Sequence, residues 1–224
     1  MSNEPNDASP SPTWDALRAL PTAELRRRTA IVTEVTEIAP MTVDGAERHA
    51  WNDGGGQSAV WYFTTDGRVL LLTFDHESDL NLYAEGTHAL QKSLYDGVPA
   101  DLRALVENRP ENYESLNLVD EDTGAAIHYA GGVFWHDGEQ WHIAEGLRTH
   151  CAREELDLFT DSGFDYCLSE YLLTQPRFTP EALTAYRKEE GLYEDADEER
   201  ADLAALKAVF ERHDQPQLPY AARM

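Results

Sequence analysis

Lysine is almost missing from this chain. Of its 18 basic residues only three are lysine (Lys92, Lys188 and Lys207), and they face 42 acidic residues, for a formal net charge of −24 over 224 residues. Binding phosphate needs clustered Lys and Arg, so the deficit disfavours nucleic acid and anionic membranes as partners. The shortage of lysine itself fits a GC-rich coding bias or a salt-adapted bacterial source. Cysteine is scarce too. Cys151 and Cys167 lie far apart with no CxxC pairing, which excludes a zinc knuckle or a dithiol redox motif. No apolar run approaches the roughly 20 residues of a membrane helix. The opening "MSNEPNDASPSPTW" has neither the basic nor the apolar region of a signal peptide. Together these absences predict a cytoplasmic protein with both thiols reduced. Enzyme signatures are missing as well: there is no GxSxG, HExxH, HxE…CxxC or DxDxDG pattern. "DGGGQS" (53–58) lacks the Lys and Ser/Thr of a phosphate loop and runs into a strand. No cofactor and no metal are expected.

The apolar share of 42% with 10% aromatics suits a packed core. Residues 1–12 read as a disordered tail, 13–213 as a single α+β domain with 179–213 as a possible helical appendage, and 214–224 as a second tail. Thr13 is placed to cap a short helix, and Pro21 to open a second that exposes Arg26, Arg27 and Arg28. "TAIVTEVTEIAP" (29–40) fits strand and helix equally. Residues 44–57 read as a loop or a loose strand pair. Two Asp-Gly pairs, Asp66-Gly67 and Asp137-Gly138, predict β-hairpins with two-residue type I′ turns. In the first, Trp61 would oppose Leu72 and Phe63 oppose Leu70; in the second, His136 would oppose Glu139. Two further strands before residue 131 bring the expected antiparallel sheet to about five or six. Helices are expected over 80–95, 98–108, 144–156, along Phe164–Leu172, from Thr179 to Gly191, and through the last stretch to Asp214. Strands followed by helices, without βαβ repeats, indicate α+β.

One stretch looks chemical. "FTTDGRVLLLTFDHESDLN" (63–81) ends a strand with Asp75, His76 and Glu77, and an imidazole between carboxylates is a possible acid–base group. The same residues also suit the cap of a following helix, because acidic groups are stabilised near a helix N-terminus. Successive side chains diverge, which weighs for the cap. In "FWHDGEQWH", His136 and His142 fall on opposite faces by strand alternation and so cannot share an ion. Phe134, His136 and Trp141 share a face and could wall a small-molecule pocket. His150 and Cys151 are neighbours on a helix and point about 100° apart, so they make no thiol–imidazole pair. The "EDADEER" run (194–200) reads as a solvated helix start.

In size, acidity and α+β style the chain resembles the immunity proteins that neutralise bacterial toxins. The likeness is one of composition and rests on no motif. It implies a non-enzymatic, inhibitor-like module that engages a basic protein partner, with Trp61, Trp135 and Trp141 as candidate anchors beside Phe134 and His136. The competing expectation is a hydrolase or lyase using His76 with Asp75 or Glu77. A homodimer through an uncovered sheet face is a further possibility.

Overall fold

A computed structural model describes residues 11–82, 87–109 and 116–214. The strands are β1 (Met41–Val43), β2 (Ala46–Asn52), β3 (Gln57–Phe63), β4 (Val69–Asp75), β5 (Asn117–Val119), β6 (Ala126–His128), β7 (Gly132–His136) and β8 (Trp141–Ile143). Six of them form one antiparallel sheet in the order β1-β2-β3-β4-β7-β8, while β5 and β6 pair separately as a ribbon. The architecture is α+β. The two strands expected before residue 131 therefore exist, but they lie outside the main sheet.

The hairpins differ from expectation in a physically instructive way. Asp44-Gly45, read as loop, is the two-residue turn in which both residues have positive φ (46° and 84°), closing Val43 on Ala46 as a type I′ turn requires. At Asp66-Gly67 only the glycine is left-handed. The Gly67 amide bonds back to the Thr64 carbonyl, and Thr64 rather than Thr65 opposes Arg68. That three-residue loop shifts the register by one, so Trp61 opposes Leu71 and Phe63 opposes Val69. The Thr64 hydroxyl accepts the Arg68 amide proton and donates to its carbonyl, which fixes the longer loop. At the second hairpin Asp137 Oδ1 accepts from the Glu139 and Gln140 amides, and His136 opposes Trp141 instead of Glu139. A shift of two residues leaves each side chain on the same face.

Both faces of the sheet are covered, and all seven residues of β3 are buried. The face carrying Trp61, Leu71 and Phe134 meets α1 (Pro12–Ala19), α2 (Thr22–Val35) and, later in the chain, α6 (Phe164–Ser169): Trp14 and Phe164 both pack on Phe134, at 5.8 and 4.5 Å between ring centres. The opposite face meets the β5–β6 side, where Phe74 packs edge-on against Tyr129. Here too lie α3 (His88–Leu94), α4 (Ala100–Arg103) and α5 (Glu145–Glu154), with α3 against both α5 and β6. The final pair, α7 (Pro180–Glu189) and α8 (Ala196–Asp214), packs together and α8 also lies on α2.

Several boundaries move. Ser11 caps α1 in place of Thr13, and its buried hydroxyl donates to Asp165. The tails 1–10 and 215–224 fall outside the described residues. Residues 29–35 are helical because Ile31, Val32 and Thr33 bury against β2, the Thr33 hydroxyl donating to the Ala50 carbonyl. Arg28 is buried, not exposed. It donates to the carbonyls of Leu173 and Gln175 and lies over the Phe178 ring. The helix expected over 80–95 is described only from His88, after a Thr87 cap, with 83–86 outside the described residues; the one expected over 98–108 is a single turn. The stripe through Phe164, Cys167 and Leu168 stops before Tyr171 and Leu172, both held at positive φ.

Candidate functional site

The end of β4 places Asp75, His76 and Glu77 side by side without bringing them to a common point. Asp75 Oδ1 accepts from the Gln57 side-chain amide and from the Glu77 backbone amide, each at 3.0 Å. Its carbonyl accepts from Ser78. These bonds turn the chain out of the sheet and occupy the carboxylate. His76 stacks against Gly56, where any Cβ would lie 2.3 Å from its Nδ1. Its Nε2 is 4.0 Å from Glu77, with the His76 side chain about half exposed and that of Glu77 largely in solvent. In place of the expected helix, a pair of turns follows over 76–80.

The aromatic candidates divide. Trp61 and Phe134 are 0% exposed and lie in the core, where no partner reaches them. Trp135 stacks on His142 at 4.2 Å on one face of the hairpin, and His142 Nε2 bonds Asp137. His136 and Trp141 sit edge to face on the other. These last two line a groove of about 400 Å³ together with Asp15, Arg18, Glu139 and Gln140. The groove lies between α1 and the turn end of the hairpin, a juxtaposition that strand patterning alone does not reveal.

His136 is held by its own turn. The Gly138 amide donates to Nδ1 at 3.0 Å. Burial lowers its pKa, with His142 adding to the effect and Asp137 opposing it. The ring is therefore neutral near pH 7, with its proton on Nε2. The two thiols are inert: burial pushes Cys151 up to about 11, and Cys167 is raised further by its fully buried site.

A second feature is one that sequence patterning missed. Between α7 and α8, Gly191 turns at positive φ and the Leu192 amide bonds to the Arg187 carbonyl. Arg187 and Tyr193 both bond Asp202, and Lys188 bonds Glu199, stapling the corner. Asp195 Oδ1 accepts from the amides of Asp197 and Glu198 and so caps α8. Leu192 is left 64% exposed on this rigid corner. Around it Glu189, Glu190 and Glu194 are exposed and pair with no cation among the described residues. "EEGLYEDADEE" (189–199) carried that signal in its composition: an apolar pair inside an acidic run.

Beside this corner, burial raises the pKa of Glu170, which accepts from the Tyr186 hydroxyl. Tyr166 donates to Asp53, joining α6 to the loop after β2. Among the described residues no group of three or more His, Cys, Asp or Glu is arranged to hold a metal ion. No described helix is long and apolar enough to cross a membrane. Comparison with protein-family models, curated proteins and solved structures gives no match.

Proposed function

We propose that this chain is a protein-binding, inhibitor-like module that engages a basic partner through the corner between α7 and α8. The observation that supports it is Leu192, fixed outward by a stapled turn and surrounded by unpaired carboxylates. A single exposed leucine on a surface needs no explanation. One that is immobilised before binding loses little entropy on contact, and can act as an anchor. The acidic surround supplies complementarity to Lys and Arg and speeds encounter with a cationic surface. The tryptophans do not serve as anchors in this reading, because the core holds Trp61 and α1 shields Trp141.

The test is a pull-down from host lysate with the tagged chain, washed at rising salt, beside a Leu192→Ser, Glu190→Gln, Glu194→Gln variant. A basic protein retained by the native chain, released as salt rises and lost to the variant is the expected result. A partner held equally by the variant, or unaffected by salt, would overturn the proposal, as would the absence of any retained protein.

A further inference from the structure

We propose that the groove beside Leu192, between the α7–α8 corner and the end of α2, receives an arginine side chain of the basic partner, its stem along Leu192 and its guanidinium against Tyr171 and the C-terminal end of α2. This rests on the α7–α8 corner as the binding surface and names the side chain that the corner selects.

The groove has a volume of about 370 Å³. Val35 and Thr36 from the end of α2, Asn52 from the end of β2, and Tyr171, Leu192 and Tyr193 line it. Each of these residues is half-buried or exposed, so the lining is open to a ligand. Two of its aromatic rings are fixed before anything binds. Tyr171 packs edge-on against Trp51 at 5.3 Å, and the Tyr193 hydroxyl donates to Asp202. A ring held in place attracts a cation over its face, and a preset wall costs little entropy on contact.

Charge selects the ligand. α2 is 14 residues long, and its C-terminal end carries the negative pole of the helix dipole with no basic residue in its last turn. Glu34 there is met from α8 by Arg212 and His213. Glu37, one residue beyond the cap, is exposed and pairs with no cation among the described residues. Glu190 and Glu194 flank Leu192 in the same bare state. Arg187, the cation that lines the groove, is taken up by Asp202, which lines it too. An anion is therefore repelled and a cation drawn in. Lysine and arginine both carry the charge, but a guanidinium is more weakly hydrated and stacks on aromatic faces, which suits a lining of Tyr171 and Tyr193. The aliphatic stem of the arginine covers the exposed Leu192.

The probe is arginine capped as its N-acetyl methylamide, titrated into the full ¹⁵N-labelled chain beside the same derivatives of lysine and citrulline, following the amides of Thr36, Asn52 and Leu192. A saturable shift at these positions in the millimolar range is expected for arginine, with lysine and citrulline each about tenfold weaker. Thr36→Arg sets a tethered guanidinium at the helix end, where a cation favours the helix. It should keep its urea midpoint, lose the capped-arginine shift and retain about tenfold less partner in the pull-down. Tyr171→Leu, which removes the ring, should weaken capped arginine by roughly 2–5-fold. The proposal is overturned if capped arginine gives no saturable shift, if its shifts scatter over the surface, if lysine or citrulline binds as well, or if both variants bind it unchanged. A partner retained by Thr36→Arg but lost to the Leu192→Ser, Glu190→Gln, Glu194→Gln variant overturns the groove and leaves the corner as the binding surface. Capped arginine bound as expected, with no protein retained from lysate, overturns the protein-binding reading and leaves the groove as an arginine site.

Discussion

A single glycine shows how packing overrides propensity at the scale of one residue. Gly146 lies in the first turn of α5, where alanine would ordinarily favour the helix by about 1 kcal/mol. A Cβ there would meet the Ser93 carbonyl oxygen at 1.7 Å and the Asp96 amide nitrogen at 3.1 Å, both backbone atoms. Backbone cannot rotate aside, so α5 would have to leave α3. Gly146→Ala is expected to lower stability by about 3 kcal/mol, the overpacking penalty exceeding the propensity gain. Chemical denaturation measures this, and an unchanged midpoint would show that α5 shifts without loss. Titration of His128 makes a second prediction. Burial, with Arg48 nearby, lowers its pKa from 6.5 to about 3. The unfolded chain takes up that proton as pH falls through 6.5, and the folded chain does not until about 3. Stability is therefore full above 6.5 and lost progressively below it, by up to about 1.4 kcal/mol per pH unit. The loss steepens below 4.5, because Glu47, bonded by His49 and Arg26, is held down at about 2. Urea midpoints between pH 7 and 5 check the slope, and the ring protons of His128 should not titrate over that range. A flat profile, or a normal titration, removes the claim.

At the scale of elements, α7 is the helix the sequence announced most completely. Thr179 caps it by accepting the Ala182 amide, with Pro180 behind it and Gly191 beyond its end. Thr179→Ala should cost about 1 kcal/mol, measured by urea unfolding, and a loss below a few tenths would mean that α8 alone holds the helix in place. Other elements were legible in kind and wrong in detail, for a common reason. An Asp-Gly pair marks a turn, but its neighbours choose the turn type. Thr64 lengthens the first hairpin loop through its hydroxyl, Asp137 reorganises the second through its carboxylate, and Asp44-Gly45, whose carboxylate pairs with Arg109, keeps two residues. Residues 29–35 were ambiguous because β-branched side chains are weak helix formers, and contact with β2 decides the matter. The candidate sites follow the same rule. Which side chains share a face of the hairpin could be read from alternation, so His136 and Trp141 were found together. That Trp61 is covered and that Arg18 lies opposite depend on helices packing across the sheet, which no local pattern encodes.

Charge dominates at the scale of the whole molecule. A net of −24 is unevenly compensated: the cations are mostly committed to specific pairs, such as Arg28 with Glu24 and Arg187 with Asp202, while the α7–α8 corner keeps bare carboxylates. Self-repulsion of this kind opposes the compact state and is screened by salt over a Debye length of about 10 Å at 0.1 M. The native ion pairs are also screened, but those that are partly buried are screened less. Repulsion should therefore lose more than attraction does. The thermal midpoint is expected to rise between about 0.01 and 0.3 M salt, a gain of ~1 kcal/mol moving it by roughly 2–4 °C for a chain of this size. Scanning calorimetry at fixed pH measures it. The sign matters beyond stability. If salt stabilises the fold, a basic partner eluted by salt is leaving a folded surface, and the elution reports on the interface. If the midpoint instead falls, the native pairs outweigh the repulsion, elution could reflect loosening of α8 from α2, and the acidic corner loses its standing as the reason for salt-sensitive binding.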